Sequence, residues 1–294
     1  MMKNKRPIIV GIGELLWDVL PTGKRAGGSP VNLVFHANQL GAQGCAISTV
    51  GEDALGDELL KELDENKIQY IVPRVKRPTG TVNVTLQGGN PTYDIKEDVA
   101  WDYIPVTKES EEMILHADAV AYGTLALRSG VSRESILKLL HLAPIGTVKY
   151  CDLNLRPNFY SFEQIEELFE LSDIVKINAK ELKIITPMFG LENMTNDEVA
   201  HLLINKYNLH YFILTSGGNY SSVYGKNEIS CIKTPFVQIV DTVGAGASFS
   251  GAFLYSILTG ATLREAHKKA VEIGAFVCMN SGAWQKHPGS EYYF

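Results

Sequence analysis

The sequence predicts an α/β protein: a three-layer sandwich with a mostly parallel central sheet, helices on both faces, and a small β-sheet set apart from it. Three observations carry this. From Ala117 onward short apolar runs alternate with helical stretches, the pattern of strand–helix–strand units around a parallel sheet. Between Ile71 and Ile104 the chain switches to polar–apolar alternation, the period of strands with one face in solvent. The third is Asp241-Thr242-Val243-Gly244-Ala245-Gly246-Ala247, which follows an apolar run, Val237 to Val240, and leads into a helical run, Ser248 to Leu258. A small-residue turn between strand and helix leaves backbone N–H groups free at a helix N-terminus, where the dipole favours negative charge. Gly244, Ala245 and Gly246 would not block a phosphoryl group there; a tight turn packed on a neighbouring helix is the other reading.

With 294 residues the chain is long enough for one large α/β domain or two smaller ones, and is read as a single domain over 1–294. It is 45% hydrophobic and 20% charged, as a globular enzyme is. A net charge of −6 without a run of Lys and Arg argues against a nucleic-acid surface. Cys45, Cys151, Cys231 and Cys278 are too far apart in sequence for a metal knuckle or a redox pair, which suits a reducing compartment. The basic N-terminus precedes only Ile8-Ile9-Val10, too short for a signal core. No segment approaches the roughly 20 apolar residues of a membrane span. A cytoplasmic protein with neither membrane nor nucleic acid as partner is expected.

Taken in order, Ile8 to Gly13 is expected as a buried strand. The dinucleotide fingerprint fails because its third glycine would fall at Leu16, and neither Gly23-Lys24 nor Gly225-Lys226 completes a Walker A loop. Asp18 follows the strand, where a carboxylate can accept from sugar hydroxyls or serve as a turn or cap residue. Gly27 and Gly28 allow close backbone approach to a ligand. Pro30 suits the first turn of a helix, with Ser29 as its cap and Asn32 on that turn. Helix is expected from Val31 to Leu40, strand from Cys45 to Val50, helix from Asp57 to Asn66. A discontinuous β lid is assigned to about 15–27 and 71–104, with strands Thr79 to Leu86 and Thr92 to Ile95 joined through Gly88-Gly89-Asn90-Pro91. Tyr93, Trp101 and Tyr103 are candidates to cover a ligand, or else ordinary packing or a homodimer contact through the lid.

Beyond it, strands are expected at Ala117–Tyr122, Val148–Leu153, Ile174–Ile177 and Tyr211–Thr215. Helices are expected at Arg133–Leu142 and Phe162–Leu171, from Lys180, and around Ala270–Met279. Ligands of such a sheet gather beyond the C-terminal strand ends. Asp152, Asn154 and Arg156 share one side of an extended segment there. The Arg156 guanidinium can meet a transferring phosphate or a sugar, or pair with a neighbouring carboxylate. Asn178 and Glu181, three apart, read as a helix cap or as oxygen ligands organising a divalent cation through water.

These strings together resemble the ribokinase-like (PfkB) carbohydrate kinases. The turn at 241–247 matches the family signature D-T-x-G-A-G-D, and Gly27-Gly28 with Asn32 resembles its N-terminal G-G-x-x-x-N. Val99 to Ile104 and Gly123-Thr124-Leu125-Ala126-Leu127-Arg128 resemble fructokinases in particular. The resemblance implies a ribokinase-like fold and ATP-dependent phosphorylation of a sugar hydroxyl, fructose to fructose 6-phosphate above all, with ribose, ketodeoxygluconate or adenosine as other substrates. It implies that Asp18, Gly28, Asn32, Trp101, Arg128 and Asn154 hold the sugar, and that Gly244, Ala245, Gly246 and Arg156 serve the transfer. Nucleotide contacts fall to Asn178, Thr215, Gly217, Gly218, Gly246 and Gly282. Mg²⁺ falls to Glu181 through water, and a monovalent cation such as K⁺ to Asp241. One position departs: the last aspartate of the signature, the family's general base, is Ala247 here. A kinase with its base replaced by Ala, of low activity, is one reading; a non-catalytic sugar- or nucleotide-binding pseudokinase is the other.

Overall fold

The computed structural model of the chain describes residues 6–87 and 90–288. The expected Gly88-Gly89 turn and the Tyr93 side chain lie outside what is described. The first third of the chain forms β1 (Ile8–Ile12), β2 (Leu16–Leu20), β3 (Gly23–Gly27), α1 (Ser29–Gln39), β4 (Gln43–Ile47), β5 (Val50–Gly51) and α2 (Ala54–Glu65). It continues through β6 (Gln69–Ile71), β7 (Arg74–Val75), β8 (Gly80–Gln87) and β9 (Asn90–Ile95). The middle is α3 (Lys108–Leu115), β10 (Ala119–Tyr122), α4 (Gly130–Leu142), β11 (Val148–Asp152), α5 (Phe162–Leu171), β12 (Ile174–Asn178), α6 (Ala179–Met188) and α7 (Asn196–Tyr207). The last part is β13 (Tyr211–Thr215), β14 (Tyr220–Gly225), β15 (Ile229–Lys233), α8 (Ala245–Leu258) and α9 (Leu263–Cys278).

Among the described residues the main sheet runs β15-β14-β13-β12-β11-β10-β1-β4-β6. From β13 to β6 every pairing is parallel; β14 and β15 extend it antiparallel. Period-2 alternation divides each strand between two cores. Val10, Cys151, Val175 and Phe212 point into one, with Leu139 of α4, Leu168 of α5 and Leu203 of α7. Ile9, Tyr150, Ile174 and Ile213 point into the other, with Leu33 of α1, Phe253 of α8 and Ala270 of α9. Burying a large apolar side chain is worth about 1.5–3 kcal/mol, so this two-sided burial fixes the register of the parallel strands.

A four-stranded sheet, β3-β2-β8-β9, stands beyond the C-terminal ends of β1 and β10, antiparallel except for β2 beside β8. It draws on 16–27 and 80–95, less than the 71–104 expected. Residues 69–71 instead join the edge of the main sheet, and Ala100–Tyr103 form a short 3-10 turn whose Trp101 is buried in the core.

Two local expectations are corrected. Val237–Val240 is not a strand: Phe236, Ile239 and Val240 are exposed and the Val240 amide donates to the Cys278 carbonyl. An apolar run with no neighbouring strand has no ladder to join. The cap of α1 is Gly28, not Ser29, and it offers no side chain. Glu14 supplies what is missing, its Oε1 accepting from the Ser29 amide at 3.0 Å.

The C-terminal segment is tied back to α1. His36 Nδ1 lies 2.9 Å from His287 Nε2, and His36 Nε2 lies 2.8 Å from the Ala283 carbonyl oxygen. Trp284 stacks on Phe35 and donates to Asn32 Oδ1 at 2.7 Å. Burial, and the second imidazole beside it, push His36 down to about 3, while burial takes His287 to about 4. The unfolded chain therefore binds protons near pH 6.5 that the folded chain refuses. The stability this supplies is complete above that pH and falls as pH drops toward 4. For His36 alone the loss between pH 6.5 and 5 is about 2 kcal/mol. Denaturant unfolding at pH 7 and pH 5 should show the fall, and His36→Gln should shrink it. An undiminished fall in the variant would remove this pair as its cause.

Candidate active site

The space between the small sheet and the C-terminal strand ends is a cleft of about 310 Å³, the size of a small-molecule site. Its floor comes from the residues that leave β1, β11 and β12, its roof from β2, β8 and β9, and one end from the turn into α8.

Asp18, Gly28, Asn32, Asn154 and Arg156 all line it. Asp18 sits on β2 opposite Arg25 of β3. Burial lifts its pKa to about 6, against the pull of Arg156. Gly28, at φ 126, has the Glu14 carbonyl where a Cβ would stand, 2.0 Å away, so only glycine fits. Asn32 Oδ1 accepts from Trp284 at 2.7 Å. Asn154 adopts φ 47, a left-handed conformation that costs of order 1 kcal/mol and tends to mark functional turns. Arg156 makes no ion pair within 4 Å among the described residues; its Nη1 donates to the Leu155 carbonyl at 3.3 Å. The alternative of a purely structural pairing for this guanidinium is not what the structure has.

The turn into α8 closes one end. Gly244 has φ 82, and a Cβ there would meet Ala283 Cα at 2.8 Å. Gly244, Gly246 and Ala247 line the cleft. The Ala245 amide instead turns back to the Thr242 carbonyl at 3.3 Å, so of the three amides expected to face an anion it is the one otherwise engaged. Ala247 is the third residue of α8 and buried.

Beneath this turn lies a group that the sequence reading passed over. Lys176 Nζ is 2.7 Å from Asp152 Oδ2, with side-chain exposures of 6% and 13%, and it stands 3.4 Å from where a Gly246 Cβ would be. Ser250, one turn into α8, donates to the same Asp152 oxygen at 3.2 Å. The signal was a lysine inside the buried run Ile174 to Ile177, where a charge needs a partner. Glu14 was missed as well: it lines the cleft, is 3% exposed, and burial raises its pKa. Its signal was an acid directly after a buried strand.

On the far side Asn178, Glu181 and Thr215 line the cleft. The helix-cap reading of Asn178 and Glu181 is realised: Asn178 Oδ1 accepts from the Lys180 and Glu181 amides, and Glu181 Oε2 from the Asn178 amide at 2.8 Å. Glu181 Oε1 accepts from the Leu155 amide. Burial, with Asp152 nearby, raises the Glu181 pKa. Both its oxygens keep a second lone pair, and a carboxylate fixed by amides suits a hydrated hard cation. Among the described residues no group of three His, Cys, Asp or Glu could hold a metal by itself. Gly217 and Gly218 form an open turn after β13, next to the exposed segment 234–240. Gly282, φ 90, donates to Asp241 Oδ2 at 3.0 Å.

Two expected sugar residues lie elsewhere. Trp101 is 1% exposed, packed in the core, and not among the residues that line the cleft. Arg128 lies 3.8 Å above that ring and grips Asp102 with Nε and Nη2 at 2.8 and 2.9 Å. Its Nη2 also donates to the Lys96 carbonyl at 2.6 Å, while Nη1 is buried without a partner among the described residues. The aromatic string is thus spent on anchoring a guanidinium at the root of the small sheet. The structure holds both residues outside the cleft lining.

Comparison with known proteins identifies the family and the fold. Residues 13–288 match the family described as pfkB family carbohydrate kinase. A putative sugar kinase from Pyrococcus horikoshii is 27% identical, over 94% of this chain and 92% of its own. Its crystal structure in complex with ATP superposes with a TM-score of 0.82, covering 94% of each chain. Probable fructokinase-2 from Arabidopsis thaliana is 26% identical over 93% of this chain and 88% of its own. A double mutant of the Vibrio cholerae fructokinase, with fructose, ADP and a potassium ion bound, shares the fold at TM-score 0.83 and 20% identity, covering 97% of this chain and 96% of its own. The fold is ribokinase-like, and the chain belongs to the pfkB family of carbohydrate kinases.

Proposed function

We propose that the protein is built to transfer the γ-phosphoryl group of ATP to a sugar hydroxyl, with fructose, giving fructose 6-phosphate, as the preferred substrate, and that Ala247 leaves this chain a poor catalyst. The observation that carries the reading is the opposition, across one cleft, of sugar-type polar groups at Asp18, Gly28 and Asn32 and the anion turn at Gly244, Gly246 and Ala247. Asp18 and Asn32 orient hydroxyls, one as acceptor and one as donor. Amides of Gly246 and Ala247 face charge that grows on the phosphoryl oxygens in flight, and Lys176 adds a positive charge under the turn. Glu181 and Asn178 would hold Mg²⁺, which would supply charge to neutralise the phosphates. Thr215, Gly217, Gly218 and Gly282 flank the nucleotide. The small sheet acts as a lid that keeps water from the phosphoryl group.

The names of the relatives favour fructose among the sugars. Titration calorimetry with a non-hydrolysable ATP analogue and with fructose tests the reading; absence of binding by both ends it. Ala247 also supports a second reading, a pseudokinase that binds sugar or nucleotide without transfer. The rate of an Ala247→Asp protein separates the two.

Arg156→Ala, in the Ala247→Asp background, should lower kcat at least tenfold and raise the sugar KM less. The reason is its guanidinium, which lines the cleft and makes no ion pair among the described residues. A raised KM with kcat unchanged would put Arg156 on the sugar instead.

A further inference from the structure

We propose that Arg25 is a tethered cation that takes the place of a monovalent ion at Asp241, so that this chain binds its anionic ligand without help from potassium. Asp241 stands at the start of the turn into α8, and its carboxylate is the expected seat of such an ion. The donor set around it says otherwise. Oδ2 accepts from Arg25 Nη1 at 2.7 Å and from the Gly282 amide at 3.0 Å. Oδ1 accepts from the Val243 amide at 3.0 Å. An alkali ion needs oxygen ligands, and what surrounds this carboxylate is N–H groups, one of them already positively charged. A free ion would have to displace a guanidinium held in place by its own strand.

Arg25 is placed for this by the fold. It lies on β3 directly opposite Asp18 of β2, and its side chain crosses from the small sheet to the main domain. A Cβ on Gly282 would come within 3.4 Å of Arg25 Cδ, so the absence of a side chain there lets the arginine stem through. The guanidinium bonds to Asp241 and also draws the Asp18 pKa down, against burial and the Asp241 carboxylate, which raise it. An ion pair with side-chain exposures of 32% and 17% is partly screened, yet its charge is present at any salt composition, whereas a bound ion depends on concentration. The proposal rests on the turn at 241–247 being the anion site of the proposed function.

The test does not need the enzyme to turn over. Thermal midpoints are measured at equal ionic strength in potassium chloride and in tetramethylammonium chloride, for the protein as it stands and for Arg25→Gln. The unchanged protein should melt at the same temperature in both salts. Arg25→Gln should be lower in tetramethylammonium and recover by about 2–4 °C in potassium. Arg25→Lys keeps a tethered charge and should lose that recovery, as should Arg25→Gln combined with Asp241→Asn. A potassium-specific rise in the unchanged protein overturns the proposal, and so does an Arg25→Gln protein indifferent to the salt. Should Arg25→Gln fail to fold, calorimetry of an Mg²⁺–ATP analogue with the unchanged protein decides. Affinities within about twofold in the two salts support the proposal, and affinity tighter in potassium by more than about fivefold overturns it. Absence of nucleotide binding in either salt would count against the kinase reading, while the midpoints would still decide the role of Arg25.

Discussion

Ala247→Asp is expected to raise the rate of fructose phosphorylation by about 10²–10⁴-fold, because in the proposed function it would supply a positioned general base beside the anion turn. That is about 3–5 kcal/mol of transition-state stabilisation. The fold should accept the change. Position 247 is the third residue of α8, whose first turn has no acidic residue and whose cap, Gly244, has no side chain to offer. A carboxylate there meets the positive end of the helix dipole, worth about 0.3–1 kcal/mol. It also faces the cleft, with Lys176 Nζ close under the neighbouring Gly246. Ground-state binding should change little, since the amides of Gly246 and Ala247 and the polar groups of Asp18 and Asn32 do not depend on it. Nucleotide affinity should weaken slightly through repulsion between carboxylate and phosphates. Steady-state phosphorylation by both proteins, with titrations of sugar and nucleotide, decides. Equal rates would mean another group takes the proton. An Ala247→Asp protein inactive on every sugar and nucleoside offered would hand the chain to the pseudokinase reading.

How much of this could be seen in the sequence follows from which forces act locally. Alternation of apolar runs with helical stretches exposed the parallel sheet, because a strand buried on both faces must be apolar throughout, as Ile174–Ile177 nearly is. Small residues at Gly28 and Gly244 were legible because the backbone needs them: neither has room for a Cβ and both have positive φ. What was not legible depends on partners distant in sequence. Nothing around Trp101 tells that Arg128, paired with Asp102, will cover the ring rather than a sugar. Nothing around Asp241 tells that Arg25, 216 residues away, will bond to it. The run Val237–Val240 has strand composition and no strand beside it, a fact decided by sheet order alone. Lys176 and Glu14 were passed over for the same reason: a charge in an apolar run is a signal only once its partner is known.

Lys176→Met should cost about 3–5 kcal/mol of stability, because it leaves the Asp152 carboxylate buried without its counter-ion. Among the described residues, only the Ser250 hydroxyl, at 3.2 Å, would still donate to that oxygen. A double variant, Lys176→Met with Asp152→Asn, removes both charges and should recover much of the loss, since replacing a buried pair by neutral groups of similar size is often near neutral. Function should not follow stability. The Lys176 ammonium lies under the turn, 3.4 Å from the Gly246 Cβ position, where in the proposed function it would oppose the charge of a phosphoryl group held by the Gly246 and Ala247 amides. Neither variant keeps that charge. In the Ala247→Asp background both should therefore turn over at least about 10²-fold more slowly than the parent, and both should bind an ATP analogue more weakly. Denaturant unfolding separates the first effect and steady-state kinetics the second. If the double variant regains turnover together with stability, Lys176 serves only to neutralise Asp152, and the anion turn works on its backbone amides alone.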